Sequence, residues 1–279
     1  MSGDRSLFDK TVLIRGAGEI ASGVAHRLWR SGFQKLVMTE IQNPIAVRRK
    51  VSFCEAVFDE EATVEKIEAA LAKNIEDVFL IWNRYKIAVI VDPWLECLSG
   101  LKPDILVDAI LAKRNLGTKM DHAGLVIGLG PGFEAGKDCH CIVETNRGHD
   151  LGRLIFSGYS SDNTGVPGSI MGQTLARVIR SPVEGVFESY FEIGALVESG
   201  TAVGKIADTL IESNLRGILR GIIRNGSYVG KYTKIGDIDP RSERRYCYTI
   251  SDKARAVGGS VLEAILAHHN FKSLCLPDI

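Results

Sequence analysis

The chain has 279 residues and a mass of 30.5 kDa, enough for about two domains at roughly 150 residues each. Its 34 basic and 34 acidic residues cancel, which argues against a nucleic-acid binder and against a polybasic membrane-surface protein, since both need a cationic surplus. With 45% hydrophobic and 24% charged residues, the composition is that of a globular protein able to bury a core, and global disorder is excluded.

No apolar run approaches the ~20 residues of a membrane span. Residues 1–10 are polar and lack the apolar stretch of a signal peptide, so the expected location is the cytoplasm. Six cysteines, at 54, 97, 139, 141, 247 and 275, are too sparse for a disulfide scaffold and are expected to be reduced.

The first informative segment runs from Lys10 to Gly23. Val12, Leu13 and Ile14 form a short apolar run ending at a glycine turn, the pattern of a strand buried on both faces. Ile20, Val24 and Leu28 then recur at helical spacing, Ser31-Gly32 closes that helix, and residues 35–40 read as a second strand ending in the carboxylate of Glu40. Residues 77–82, 87–91, 104–108 and 125–128 read as further strands, and residues 63–73 and 93–100 as helices. Alternating strands and helices predict an α/β fold, a Rossmann-like doubly wound parallel sheet over residues 8–130 that binds a nucleotide.

After residue 130 glycines become frequent. Residues 131–180 read as a Gly-rich connecting segment that contributes to the site. Residues 181–188 and 193–206, and then 215–221 and 225–237, repeat a cadence of glycine turns and valine- or isoleucine-centred strands. That cadence predicts a small β-sandwich domain over residues 181–268, resembling a lipoyl/biotinyl-type barrel-sandwich, with a C-terminal helix from about Ser251 to His268. Lys205 lies inside a strand-like run, so no carrier lysine is evident.

The strongest chemical signal is Gly16-x-Gly18-x-x-Ala21. The first glycine permits the sharp turn, the second admits the backbone to a pyrophosphate, and the small third residue lets helix pack on strand. The helix N-terminus offers free N–H groups to an anion, and Glu40 is placed to accept hydrogen bonds from a ribose diol. Against this, Glu19 sets a negative charge beside that anion. Arg48, Arg49 and Lys50 are either a solvated face or a clamp on a phosphate or carboxylate, for which Arg is suited. A second glycine loop, with Gly130 and Gly132, is either an anion-binding nest or a wide turn. The candidates for catalysis are Asp108 and Lys113, after the strand at 104–108, and Arg147 and His149 in the polar stretch 144–149. Cys139 and Cys141 would share one face of a strand, with His140 opposite, but no second ligand pair stands at zinc-site spacing, so no metal is expected.

In its ordered motifs the chain resembles the YqeB family, accessory proteins of selenium-dependent molybdenum hydroxylase systems. The resemblance runs over about residues 10–268. Its anchors are the turn at 16–21, residues 44–57, Gly128-Leu-Gly-Pro-Gly-Phe133, Glu144-Thr-Asn-Arg-Gly-His149, Asn163-Thr-Gly-Val-Pro-Gly168, Lys234-Ile-Gly-Asp-Ile-Asp-Pro-Arg241 and Ile250-Ser-Asp-Lys253. The resemblance implies help in making or inserting a molybdenum cofactor, with a hydroxylase subunit as partner, and it names no catalytic residue. Two functions are therefore expected. One is a maturation protein binding a nucleotide-containing ligand, such as the molybdenum cofactor in its molybdopterin dinucleotide form or a precursor. The other is an NAD-dependent oxidoreductase acting on a small anionic substrate, with Glu40 on the adenosine ribose and Lys113 or His149 near the substrate. Whether a reaction is catalysed, whether selenium is involved, and whether the chain forms a homo-oligomer stay open at this level.

Overall fold

The computed structural model describes residues 6–163, 165–166 and 168–271. Its central strand is β1 (Val12–Arg15), buried on both faces, which is why it reads as an unbroken apolar run. The sheet around it continues with β2 (Leu36–Glu40), β3 (Glu61–Val64), β4 (Ile67–Ala72), β5 (Ile87–Val91) and β6 (Ile105–Asp108). It is completed by β7 (Leu125–Leu129), β8 (Cys141–Val143) and β9 (Leu154–Ile155). The order across these nine strands is β3-β4-β5-β2-β1-β6-β7-β8-β9. Neighbours from β4 to β8 run parallel, whereas the β3/β4 and β8/β9 pairs make both edges antiparallel.

Five helices accompany the sheet: α1 (Glu19–Arg30), α2 (Ala56–Asp59), α3 (Ile75–Asn83), α4 (Leu98–Leu101) and α5 (Asp252–Phe271). One face packs Val12 and Ile14 against Val24 and Leu28 of α1 and against Ala254, Val257 and Val261 of α5. The other packs Leu13, Val37 and Leu106 against Val78 and Ile81 of α3. Helices α1 and α5 meet almost backbone to backbone: a Cβ at Gly23 would lie 2.7 Å from that of Ala254, and one at Gly258 only 2.9 Å from the Gly23 carbonyl oxygen.

The second unit has eight short strands: β10 (Val178–Arg180), β11 (Gly185–Ser189), β12 (Leu196–Val197), β13 (Ala202–Ile206), β14 (Thr209–Glu212), β15 (Gly217–Ile222), β16 (Tyr228–Val229) and β17 (Lys234–Asp239). They form two antiparallel four-stranded sheets, β10-β17-β15-β12 and β14-β13-β11-β16, around one core that includes Phe187, Ile206, Leu219 and Ile238.

The expected fold class needs correction. The large sheet is a nine-stranded mixed sheet, not a Rossmann-like doubly wound parallel one. Both its edges are antiparallel, and no α-helix joins β6 to β7 or β7 to β8. The part after residue 180 is likewise not the lipoyl/biotinyl-type barrel-sandwich with its own closing helix. One of its sheets takes an edge strand from residues 178–180, and α5 is buried in the core of the large sheet.

Two local expectations also change. Residues 63–73, rich in Ala, Glu and Lys, form the β3–β4 hairpin and not a helix. Glu65 and Lys66 both have positive φ, the turn geometry suited to hairpins, and Val64, Ile67, Ala69 and Ala72 are buried. Residues 77–82 lie in α3 and not in a strand. Asn74 caps that helix by accepting from the Asp77 N–H at 2.8 Å, and Phe79 and Leu80 stay exposed. The helix expected at 93–100 shortens to α4. Among the described residues, no helix is long and apolar enough to cross a membrane.

Candidate ligand-binding cleft

A cavity of about 760 Å³ opens beyond the carboxyl ends of β1, β2 and β6, the place where parallel strands present their loops to ligands. The volume falls in the range of small-molecule sites.

The floor of the cavity is the glycine turn between β1 and α1. Gly16 has φ +98°, and a Cβ there would meet the Ala109 carbonyl oxygen at 3.3 Å, so the fold itself requires this glycine. Gly18, the N-cap of α1, differs: its φ of −71° and ψ of −174° suit any residue. A Cβ at Gly18 would meet no heavy atom within 4 Å among the described residues. The missing side chain thus leaves open space at a helix start. Ala21 is buried against the sheet, as its expected packing role requires.

Glu40 ends β2 and faces the turn. Its Oε2 accepts the Ala17 N–H at 2.9 Å and its Oε1 the Ile41 N–H at 2.8 Å. Burial pushes its pKa up, partly countered by the N–H groups of Ile41 and Ala17. Each oxygen retains a lone pair for a further donor.

Arg15 and Asp108, at the ends of β1 and β6, form a buried pair at 3.3 Å. The same guanidinium donates to Thr118 Oγ1 at 3.0 Å and to the carbonyls of Pro93 and Leu116 at 3.3 and 2.9 Å, while Thr118 Oγ1 donates to Asp108 at 2.6 Å. Asp108 is thereby occupied in holding Arg15 and the loop after β6. That loop carries Ile110 and Leu116, which with Ile41, Ile45, Pro93 and Trp94 give the cavity an apolar side. Trp94 is 79% exposed, an unusual state for indole unless something covers it.

Arg48 is buried beside Glu19. Its Nη1 lies 3.2 Å from Glu19 Oε1, and its Nη2 donates to the carbonyls of Tyr246 and Thr249 at 2.8 and 3.0 Å. Arg49 instead turns to the second unit, donating to the Ile222 carbonyl at 2.9 Å, and does not line the cavity. Lys234, the first residue of β17, lines the cavity together with Gly16, Gly18 and Glu19.

The remaining candidates lie elsewhere. A Cβ at Gly130 would be 2.4 Å from Thr145 Oγ1 and one at Gly132 2.5 Å from the Arg114 nitrogen, so this loop is packed closely against protein, and the Gly130 N–H donates to the Val143 carbonyl at 2.9 Å. Arg147 makes a two-pronged ion pair with Asp252 at 2.6 and 2.8 Å. His149 and Lys113 are exposed and outside the cavity, and Lys113 sits in a loop with φ +63°. Of the stretch 163–168, Thr164 and Pro167 lie outside the described residues, as does Cys275. Cys139 and Cys141 do not share a face: β8 starts only at Cys141, and the two thiols are buried in different cores.

Of the residues expected to bind a ligand, the fold brings Gly16, Gly18, Glu40 and Arg48 to one cleft. Arg15, Trp94 and Lys234 line it as well and were not among those expected. Arg15 carried a usable signal, a charged residue closing an apolar strand just before the glycine turn. Lys234 opened the motif 234–241, but only the packing of the second unit brings it to the cavity.

No protein-family profile matches the chain. In sequence it is similar to the uncharacterized protein YqeB of Escherichia coli strain K12, at 50% identity over 264 residues. The match takes in 94% of this chain and 49% of that protein, so the chain spans about half the length of the curated relative it matches. Among solved structures, it has a slight likeness to an aspartoacylase family protein from Mesorhizobium loti, at 12% identity over 82% of this chain and 84% of that one, with a TM-score of 0.26. A succinylglutamate desuccinylase/aspartoacylase from Rhodobacter sphaeroides is similar over 31% of this chain and 30% of that one, at 18% identity and a TM-score of 0.22.

Proposed function

We propose that the cleft binds a nucleotide-bearing ligand, with its phosphates at the Gly16–Gly18 turn, a ribose at Glu40 and a ring system against Trp94. We place the chain in the cytoplasm, as an accessory protein that handles such a ligand, the molybdenum cofactor in dinucleotide form or a precursor, for a molybdenum hydroxylase subunit. The observation that carries the binding part is the open space at Gly18: a glycine that the backbone does not need, at the start of a helix of 12 residues, on the floor of the cavity. The hydroxylase part is supported by the resemblance of the motif order to the YqeB family.

The chain's own groups suit this ligand. The α1 N-terminus favours an anion, Glu40 has lone pairs to spare for a diol and would repel a 2′-phosphate, and the apolar side suits a planar ring. The test is a thermal-shift panel comparing NAD, NADP, cytidine and guanosine nucleotides, and molybdopterin cytosine dinucleotide. A ligand at 100 times its Kd adds about 2.7 kcal/mol, worth about 5–10 °C in a chain near this size. Stabilisation by the pterin dinucleotide with NAD silent is the expected result. Stabilisation by NAD alone would overturn cofactor handling in favour of a dehydrogenase, and silence of the whole panel would overturn nucleotide binding.

A further inference from the structure

The cavity is not made by the large sheet alone. Lys234 comes from the second unit, at the start of β17, and lines the same cavity as the glycine turn. Its ammonium has no carboxylate to itself. The nearest, Asp237, is 3.9 Å away and is already bound by Arg177 and by Arg220, with Arg220 Nε at 2.8 Å. Glu19, the other carboxylate that acts on Lys234, is claimed by Arg48. Arg241 and Arg220 in turn share Asp239. In this cluster five cations, Arg48, Arg177, Arg220, Lys234 and Arg241, face three carboxylates, Glu19, Asp237 and Asp239.

Such a surplus is costly inside a protein unless an anion completes it. Burial holds the Lys234 pKa below the ordinary lysine value, with Asp237 and Glu19 opposing that shift and Arg177 and Arg220 adding to it. Arginines in the same cluster are fixed in pairs, whereas the Lys234 side chain is two-fifths exposed and lines the cavity. Arg48 adds a second sign of unmet demand, since its buried Nε has no partner among the described residues.

The geometry points to Lys234 as the contact that the β-rich unit lends to the cleft, binding the phosphate of a ligand seated on the Gly16–Gly18 turn. The ligand class is then a nucleoside diphosphate or its ester, and not a free nucleoside or base. This inference rests on the nucleotide reading and adds to it the residue that recognises the charge.

Calorimetric titration of the full chain tests it. The probes are cytidine, guanosine and adenosine, their 5′-diphosphates, and inorganic pyrophosphate. Each is titrated into the wild type, Lys234→Met and Lys234→Arg. The expected result is that each diphosphate that binds does so more tightly than its nucleoside. Lys234→Met should weaken diphosphate binding by roughly 10- to 100-fold while leaving the nucleoside unchanged, as for loss of one charge-assisted hydrogen bond. Lys234→Arg should restore most of it and keep it at alkaline pH, where the wild type loses its ammonium earlier than a free lysine would. Lys234→Met removes a confined charge, so its melting temperature should not fall; a folded variant with unchanged diphosphate affinity, or with equal losses for nucleoside and diphosphate, would overturn the assignment. Pyrophosphate binding that depends on Lys234, with every nucleoside and nucleotide silent, would keep the anion contact and overturn the nucleotide reading. Silence of all probes would overturn both.

Discussion

Replacing Gly18 by valine separates what the glycine turn does for the fold from what it does for a ligand. The backbone at Gly18 is extended and a Cβ there touches nothing within 4 Å among the described residues, so the added side chain meets neither strain nor clash. The expected cost is the N-cap preference alone, about 0.5–1 kcal/mol, or a melting-point drop of about 1–4 °C. Gly16→Ala is the contrasting control. There φ is +98° and the Cβ would press on the Ala109 carbonyl, so about 1–3 kcal/mol should be lost without any ligand. With a ligand from the panel present, the order reverses in meaning: Gly18→Val should lose all of the stabilisation of about 2.7 kcal/mol expected at 100 times Kd. The assay is a melting curve of each variant with and without ligand. If Gly18→Val still shows the full ligand shift, nothing binds on the turn. If it loses more than about 3 kcal/mol without ligand, the space is not open and the reasoning fails.

Three further outcomes follow from buried charge and burial of thiols. Asp237→Asn should cost about 3–5 kcal/mol in urea denaturation, because Arg177 and Arg220 are left without their shared carboxylate; a loss below about 1 kcal/mol would show that solvent reaches the pair. Asp252→Asn should cost about 0.2–1 kcal/mol at neutral pH, a small loss because Asp252 is largely exposed. The Arg147 hydrogen bonds hold the Asp252 pKa well below the ordinary value, so that contribution is present above about pH 4 and fades as pH falls further, and equal wild-type and variant stabilities at pH 7 would refute it. The five described cysteines are all buried, and burial pushes Cys139 up to about 12, so mass spectrometry should find them unmodified after brief iodoacetamide treatment of native protein at pH 8; rapid labelling of Cys54, which lines the cavity, would show the cleft to be looser than described.

What could be read from the sequence was local. Val12, Leu13 and Ile14, then Gly16 and the 3.6-residue stripe of α1, lie within twenty residues and need no distant partner to declare themselves. The β3–β4 hairpin was hidden because Ala, Glu and Lys favour helix, and only pairing with β5 outweighs that preference. Helix α3 was hidden for the opposite reason. Its run of Val78, Phe79, Leu80 and Ile81 imitates a buried strand, and the Asn74–Asp77 cap was the signal that distinguished the two. The docking of α5 onto α1 is decided by contacts between residues more than 200 positions apart, such as Gly23 with Ala254 and Gly258. No pattern within one element could announce them.

The charge of the cleft shows how far such distant contacts shape the site. Read along the chain, Glu19 is an obstacle to any anion on the turn. In the fold its carboxylate is held by Arg48, whose guanidinium is fixed in turn by the carbonyls of Tyr246 and Thr249, just before α5. Arg48 thus neutralises Glu19, and the second unit adds Lys234 to the lining of the same cavity. An anion in the cleft would bridge Lys234 of the second unit and the α1 N-terminus of the first. Its binding energy and the docking of the two units must therefore be linked: whatever stabilises their contact favours the ligand, and the ligand by the same amount stabilises the contact.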